Sequence, residues 1–123
     1  MRVGDCTIRS TRFIDPDETL EQAARTMTEI NADVLPVGEN GHLVGVITDR
    51  DIAISCVVQA RPSDTKVRDV MSSEVLSCFD DDDVEDVLNR MAEARHHAVP
   101  VLNGDEGLVG MISICDLAIT QAG

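Results

Sequence analysis

Two hydrophobic rhythms alternate along this chain. Leu20, Ala23, Ala24 and Met27 recur at i, i+3, i+4 and i+7, the apolar stripe of an amphipathic helix, and Thr19 with Gln22 has capping-box spacing at its start. Val84, Val87, Leu88 and Met91 repeat the stripe, with Asp83 in the cap position. Elsewhere the apolar runs are short. Those through Pro36 and Pro100, and Leu43 to Ile47 and Leu108 to Ile112, read as strands, and Asn40-Gly41 and Asn103-Gly104 read as the hairpin turns joining them. Shorter strands are expected from Thr11 to Ile14 and from Val75 to Phe79, and second helices from about Asp51 and Asp116. The order strand, helix, strand, strand, helix occurs twice, so the fold class is α+β.

The two halves are copies. Sliding the chain by 64 residues superposes Val3 on Val67, Asp5 on Asp69, Met27 on Met91, Pro36 on Pro100 and Val37 on Val101. One extra residue in the 103–107 turn shifts the offset to 65, and Leu43, Val44, Gly45, Ile47, Asp51, Ala53 and Ile54 then match Leu108, Val109, Gly110, Ile112, Asp116, Ala118 and Ile119. The join falls near Ala60 to Lys66, where Arg61-Pro62-Ser63-Asp64-Thr65 is turn-like, giving repeats 1–61 and 62–123. Each repeat alone leaves part of its apolar surface wet, so the two are expected to pack together.

Charge narrows the function. Twenty-three acids against ten bases give a net charge of -13, and Lys66 is the one lysine. Such a field repels nucleic acids and anionic membranes. With Phe13 and Phe79 the only aromatic residues, there is no stacking platform for single strands. The acidity serves solubility or adaptation to high salt. The N-terminus lacks an apolar leader and no apolar run reaches spanning length, so the expectation is a cytoplasmic protein without a membrane. Cys6, Cys56, Cys78 and Cys115 show no Cys-x-x-Cys spacing and read as reduced thiols. His96 and His97 are adjacent rather than four apart, and the acids at 80–83 lack calcium-loop spacing, so no metal site is expected. No motif for nucleophilic, phosphate-loop or metalloprotease chemistry is present, and the chain is read as a non-enzyme.

The repeat layout, the Val-x-Asp lead-ins at 3 and 67, the Pro-Val pairs, and the Gly-x-x-Thr-x-x-Asp and Gly-x-x-Ser-x-x-Asp endings resemble the CBS (cystathionine beta-synthase) domain. Two in tandem resemble a CBS pair, or Bateman module, and the likeness covers essentially the whole chain, as in a stand-alone CBS-pair protein. It implies two β-α-β-β-α repeats packed about a pseudo-two-fold axis, association as a homodimer, and a regulatory role toward a partner protein not named by the sequence.

Thr48-x-x-Asp51 and Ser113-x-x-Asp116 admit two readings. A hydroxyl followed three positions later by an acid is a capping box. The same corner also brings a helix N-terminus, with its unpaired N–H groups and positive dipole, to a strand end where an anion can bind. In the family resembled, the Asp holds a ribose and the Thr or Ser lies near the phosphate or sugar. The resemblance therefore implies an adenosyl ligand, AMP, ADP or ATP or alternatively S-adenosylmethionine or NAD, bound between the repeats as a regulatory ligand with no cofactor required. It also implies asymmetry. His97, ahead of Pro100, would serve the site of Thr48, Arg50 and Asp51, whereas Asp33, ahead of Pro36, would oppose phosphate at the site of Ser113 and Asp116. Ala98 stands where the family carries an Arg, which disfavours a triphosphate.

Overall fold

Thr19 opens the first helix with its backbone extended (φ -86°, ψ 162°). Its Oγ1 accepts the Gln22 N–H at 3.2 Å, and Gln22 Oε1 accepts the Thr19 N–H at 2.9 Å, closing the capping box. In this computed structural model, which describes residues 2–5, 12–94, 98–105 and 107–113, helix α1 runs Leu20–Ile30. Leu20, Ala23 and Met27 are buried, so the stripe is the core face. Asn31 ends the helix in the left-handed region (φ 56°), its N–H donating back to the Met27 and Thr28 carbonyls.

Strands β1 (Val34–Glu39) and β2 (His42–Thr48) form an antiparallel hairpin. Asn40 and Gly41 both have positive φ (56° and 81°), the geometry of the two-residue turn their sequence calls for. Helix α2 (Asp49–Ala53) follows directly and passes into a π-helical turn, Ile54–Val58. Its first residue is Asp49, two before the expected start, because Asp51 occupies the third helical position of a capping box on Thr48. Further on come β3 (Cys78–Phe79), α3 (Val84–Ala94), β4 (Ala98–Leu102) and β5 (Leu108–Ser113). β3 pairs parallel with β4, and β4 antiparallel with β5.

Two expectations need correcting. The first strand of each repeat is shorter than its sequence pattern. Thr11 lies outside the described residues; among the described ones Ile14 alone makes a parallel bridge in the first repeat, to Val37, and Cys78 and Phe79 alone pair in the second. The partner strands carry Pro36 and Pro100, which have no N–H to donate, so each ladder is brief. The Asn103-Gly104 turn is also wider than its counterpart. Leu102 pairs with Leu108, and Asn103 Oδ1 accepts the Asp105 and Gly107 N–H groups at 3.0 and 2.9 Å. This is where the repeat offset gains its extra residue.

The chain divides into two compact units, Arg12–Val75 and a unit combining Met1–Thr11 with Leu76–Gly123. The core of the first gathers Ile14, Leu20, Ala23 and Met27 with Leu35, Val37, Ile47 and Val67. The core of the second gathers Cys78, Val84, Val87 and Met91 with Val99, Val101, Ile112 and Val3. Position by position these are the same eight sites of the duplicated sequence, with one difference in origin. Val67 belongs to the second repeat yet completes the core built from the first, and Val3 does the reverse.

Hydrogen bonds repeat the exchange. Val67 N–H donates to Glu18 O (2.8 Å) and Arg68 N–H to Pro16 O (2.9 Å); Val3 N–H donates to Asp82 O (2.9 Å) and Gly4 N–H to Asp80 O (2.8 Å). Thr19 bridges Lys66 just as Asp83 bridges Arg2. Repeats in sequence and units in space are different partitions of one chain.

Candidate functional site

Thr48 ends β2 opposite Val34, and Ser113 ends β5 opposite Ala98, the equivalent pair in the other unit. Thr48 is the N-cap of α2 (φ -114°, ψ 162°). Its N–H donates to Asp51 Oδ2 at 3.0 Å, and the Asp51 N–H donates to Thr48 Oγ1 at 3.0 Å. Both groups are half-buried. The box is therefore complete, and it fixes the Asp51 carboxylate through one oxygen.

The remaining N–H groups of this helix start are also committed. Asp49 N–H donates to Asp33 O (3.0 Å), and Arg50 N–H to Asp49 Oδ1 (2.7 Å). The expectation that this corner presents unpaired N–H groups to an anion is corrected on that point. Short acidic side chains and the loop before β1 have already saturated them.

Asp51 lies on the wall of a cavity of about 280 Å³ within the Arg12–Val75 unit. Ile54 and Ser55 extend that wall along the π-helical turn. Gln59 and Arg61 come from the bend that follows, where Ala60 takes a left-handed φ of 55° and the Arg61 N–H donates to Ser55 O at 2.9 Å. Asp69 and Val70 close it from the lead-in of the second repeat. Thr48 and Arg50 do not line it, and Arg50 is exposed. His97 and Asp116 lie outside the described residues.

Sequence reasoning missed Gln59, Arg61, Asp69 and Val70. The Val-x-Asp repeat was the available signal for Asp69, but it marks a position and not the place to which the segment folds.

Ion pairs anchor that lead-in. Arg68 Nε donates to Asp17 Oδ1 at 2.9 Å and Arg68 Nη2 to Glu39 Oε2 at 3.2 Å, and Lys66 Nζ lies 3.8 Å from Asp17. The hydrogen bond from Arg68 holds the Asp17 carboxyl below its ordinary value, and the same bond raises the Arg68 guanidinium. On the other flank, Ser72 exchanges backbone hydrogen bonds with Val46 (3.0 and 2.9 Å), pairing the segment with β2. Asp69 and Val70 are thus held between two fixed points.

Cysteine and metal chemistry are thin here. Burial, with a smaller contribution from the nearby Asp82 charge, pushes the Cys78 thiol up to about 11. Such a thiol is a weak nucleophile at neutral pH. Among the described residues no three His, Cys, Asp or Glu side chains are grouped to hold a metal ion. Among those residues, too, no helix is long and apolar enough to cross a membrane.

The CBS domain family model matches the chain twice, over residues 3–56 and 67–122. The chain belongs to the CBS domain family. Both matches start at or beside the lead-in valines, so the family's sequence unit includes the segment that packs in the other unit. The CBS domain-containing protein YhcV of Bacillus subtilis is 34% identical over 119 residues, covering 97% of this chain and 84% of YhcV. The CBS domain pair of protein MJ0100, solved with 5′-methylthioadenosine and S-adenosyl-L-methionine, is 24% identical with a TM-score of 0.87, covering 98% of this chain and 99% of that one. CBSX2 in complex with AMP is 22% identical with a TM-score of 0.85, covering 98% and 96%. At these identities the two solved structures establish a shared CBS-pair fold.

Proposed function

We propose that this CBS pair is a ligand-sensing regulatory module that binds an adenosyl ligand, either a nucleotide of the AMP, ADP and ATP class or an adenosyl compound such as S-adenosylmethionine or NAD. One observation carries the reading. Asp51 accepts the Thr48 N–H through Oδ2 and is one of the residues that line the cavity, so Oδ1 is the oxygen proposed to accept the hydroxyls of a ribose. The adenosyl ligands of MJ0100 and CBSX2 support the ligand class. Thr48, Arg50 and Asp51 form one copy of the motif, Ser113 and Asp116 the other, and His97 is the basic residue assigned to the first. Binding fixes α2 against the lead-in at Asp69 and Val70, and a regulated protein reads the change. The module acts without catalysis, in the cytoplasm, and as a homodimer. Ile54, Val57 and Val58 lie on the helix end with Val57 80% exposed, an apolar face suited to a second copy.

The test is a thermal-shift panel of AMP, ADP, ATP, S-adenosylmethionine and NAD on the wild type, Asp51→Ala, Asp116→Ala and His97→Ala. Stabilisation of the wild type that is lost in Asp51→Ala supports the reading. No shift with any ligand sinks it. The complete capping box favours a second reading, a structural or protein-interaction module in which Thr48 and Asp51 only cap α2. On that reading Asp51→Ala lowers stability and no ligand stabilises the wild type.

A further inference from the structure

The two lead-ins are held by matched backbone contacts but by different side chains. Val3 and Val67 are both fully buried. Each lead-in donates two N–H groups to carbonyls that are equivalent under the 64-residue repeat. Val67 and Arg68 donate to Glu18 and Pro16, and Val3 and Gly4 to Asp82 and Asp80, all at 2.8 or 2.9 Å.

Around the first lead-in a cluster of four charges is added to these contacts. Arg68 reaches Asp17 through Nε at 2.9 Å and Glu39 through Nη2 at 3.2 Å, and Lys66 stands 3.8 Å from Asp17. The cluster joins the lead-in to the loop before α1 and to the end of β1. The duplicated sequence does not carry a second one. The equivalents of Lys66, Arg68, Asp17 and Glu39 are Arg2, Gly4, Asp81 and Asn103. Gly4 has no side chain to donate, and the place is too close for one, since a Cβ there would lie 3.0 Å from the Asp80 carbonyl oxygen. Asn103 carries no charge, and its Oδ1 already accepts the Asp105 and Gly107 N–H groups. What is left, Arg2 and Asp81, corresponds to the longest contact of the cluster, that of Lys66 with Asp17.

We infer that the two lead-ins are latches of unequal strength: Arg68 clasps residues 66–72 to the Arg12–Val75 unit, whereas residues 2–5 close the other unit without a clasp and open first. Opening of residues 2–5 withdraws Val3 from the core of Val84, Val87, Met91 and Val99 and leaves the first core shut. Such a local opening lets a partner or an effector act on one unit alone. Because Arg68, Asp17 and Glu39 are each about half exposed, the difference is modest and sensitive to salt.

Native-state hydrogen exchange of the intact chain tests this at the matched amides of residues 3, 4, 67 and 68. At low salt, protection factors are expected to be about fivefold higher for Val67 and Arg68 than for Val3 and Gly4, the difference that roughly two exposed ion pairs on one guanidinium provide. Arg68→Gln keeps most of the side-chain stem and removes the charge. It should lower the protection of Val67 about fivefold and leave Val3 unchanged. In about 1 M sodium chloride, where the screening length falls to roughly 3 Å, the wild-type difference should shrink to less than about twofold. Equal or greater protection of Val3 and Gly4 at low salt overturns the inference. So does a difference that persists in high salt, or a Val67 protection unmoved by Arg68→Gln, because backbone and packing alone would then hold that lead-in. An equal fall at Val3 in Arg68→Gln overturns it too, since the clasp would then act on the whole protein and not on its own lead-in.

Discussion

Val67 N–H donates to the carbonyl of Glu18 at 2.8 Å, and through that bond the second repeat's opening residues complete the first repeat's core. The equivalent bond from Val3 to Asp82 does the same for the other unit. Each core of eight therefore closes with a side chain from the other repeat. The lead-in between Lys66 and Ser72 also carries Asp69 and Val70 to the cavity at Asp51. The segment that closes the core thus also lines the cavity.

Val67→Ala removes two methyl groups from a site with no solvent exposure and is expected to cost about 2 kcal/mol. Val3→Ala should cost a similar amount, but in the other unit. Native-state hydrogen exchange separates them. Val3→Ala should speed exchange in α3 and β4 and spare α1, and Val67→Ala should do the opposite. Loss of protection in the unit contiguous in sequence would refute the exchange.

Gly45 is the tightest glycine of the hairpin. A Cβ there would lie 2.7 Å from Ser72 O and 2.8 Å from Met71 Sδ. Gly45→Ala should destabilise the protein by about 1–3 kcal/mol through overpacking and displace the lead-in from β2. At Gly41 the space is open but φ is 81°, so Gly41→Ala should cost about 1 kcal/mol from backbone strain alone. Chemical denaturation measures both.

Thr48→Ala deletes the acceptor for the Asp51 N–H and should lower stability by about 1 kcal/mol. Thr48→Ser keeps that hydroxyl and should retain most of the stability. Equal losses in the two variants would mean that the Thr48 methyl, and not its oxygen, matters.

Two groups give opposite pH limbs. Because Arg68 lowers the Asp17 carboxyl, the unfolded chain binds that proton more readily than the folded one. The pair's contribution is therefore present above about pH 4 and is lost as pH falls through the lowered folded value. Asp17→Asn should flatten that acid limb in a plot of unfolding midpoint against pH. Cys78 behaves inversely. Its folded thiol titrates at about 11, above the unfolded value, so stability should fall as pH rises from about 8.5 toward that value. The chain has no tyrosine and one lysine, which leaves this region sparsely titrated. Cys78→Val should weaken the alkaline slope.

Much of the fold was legible in the residues because its determinants are local. The stripes of Leu20 to Met27 and Val84 to Met91, the capping boxes at Thr19 and Thr48, and the Asn40-Gly41 turn each depend on neighbours within a few positions. The register shift at 103–107 was legible too, since the duplication supplied a template for the missing residue. Thr48 and Asp51 could be nominated for the same reason, as their spacing alone brings them together at one helix start.

Tertiary structure decided the rest. Val3 and Val67 look alike in sequence, and nothing local tells a buried valine which repeat will cover it. Their partners, Asp82 and Glu18, are far along the chain, and only the folded backbone pairs them. The same holds at the site. Spacing put Asp51 at a helix start with N–H groups to offer, but the fold spent those groups on Asp33, Asp49 and Thr48 and set Asp69 and Arg61 around the cavity. Sequence thus determined which side chains could cap, turn and line a core. Long-range packing determined that Asp69 and Arg61 share a cavity with Asp51, because cavity walls are built by neighbours in space and not by neighbours along the chain.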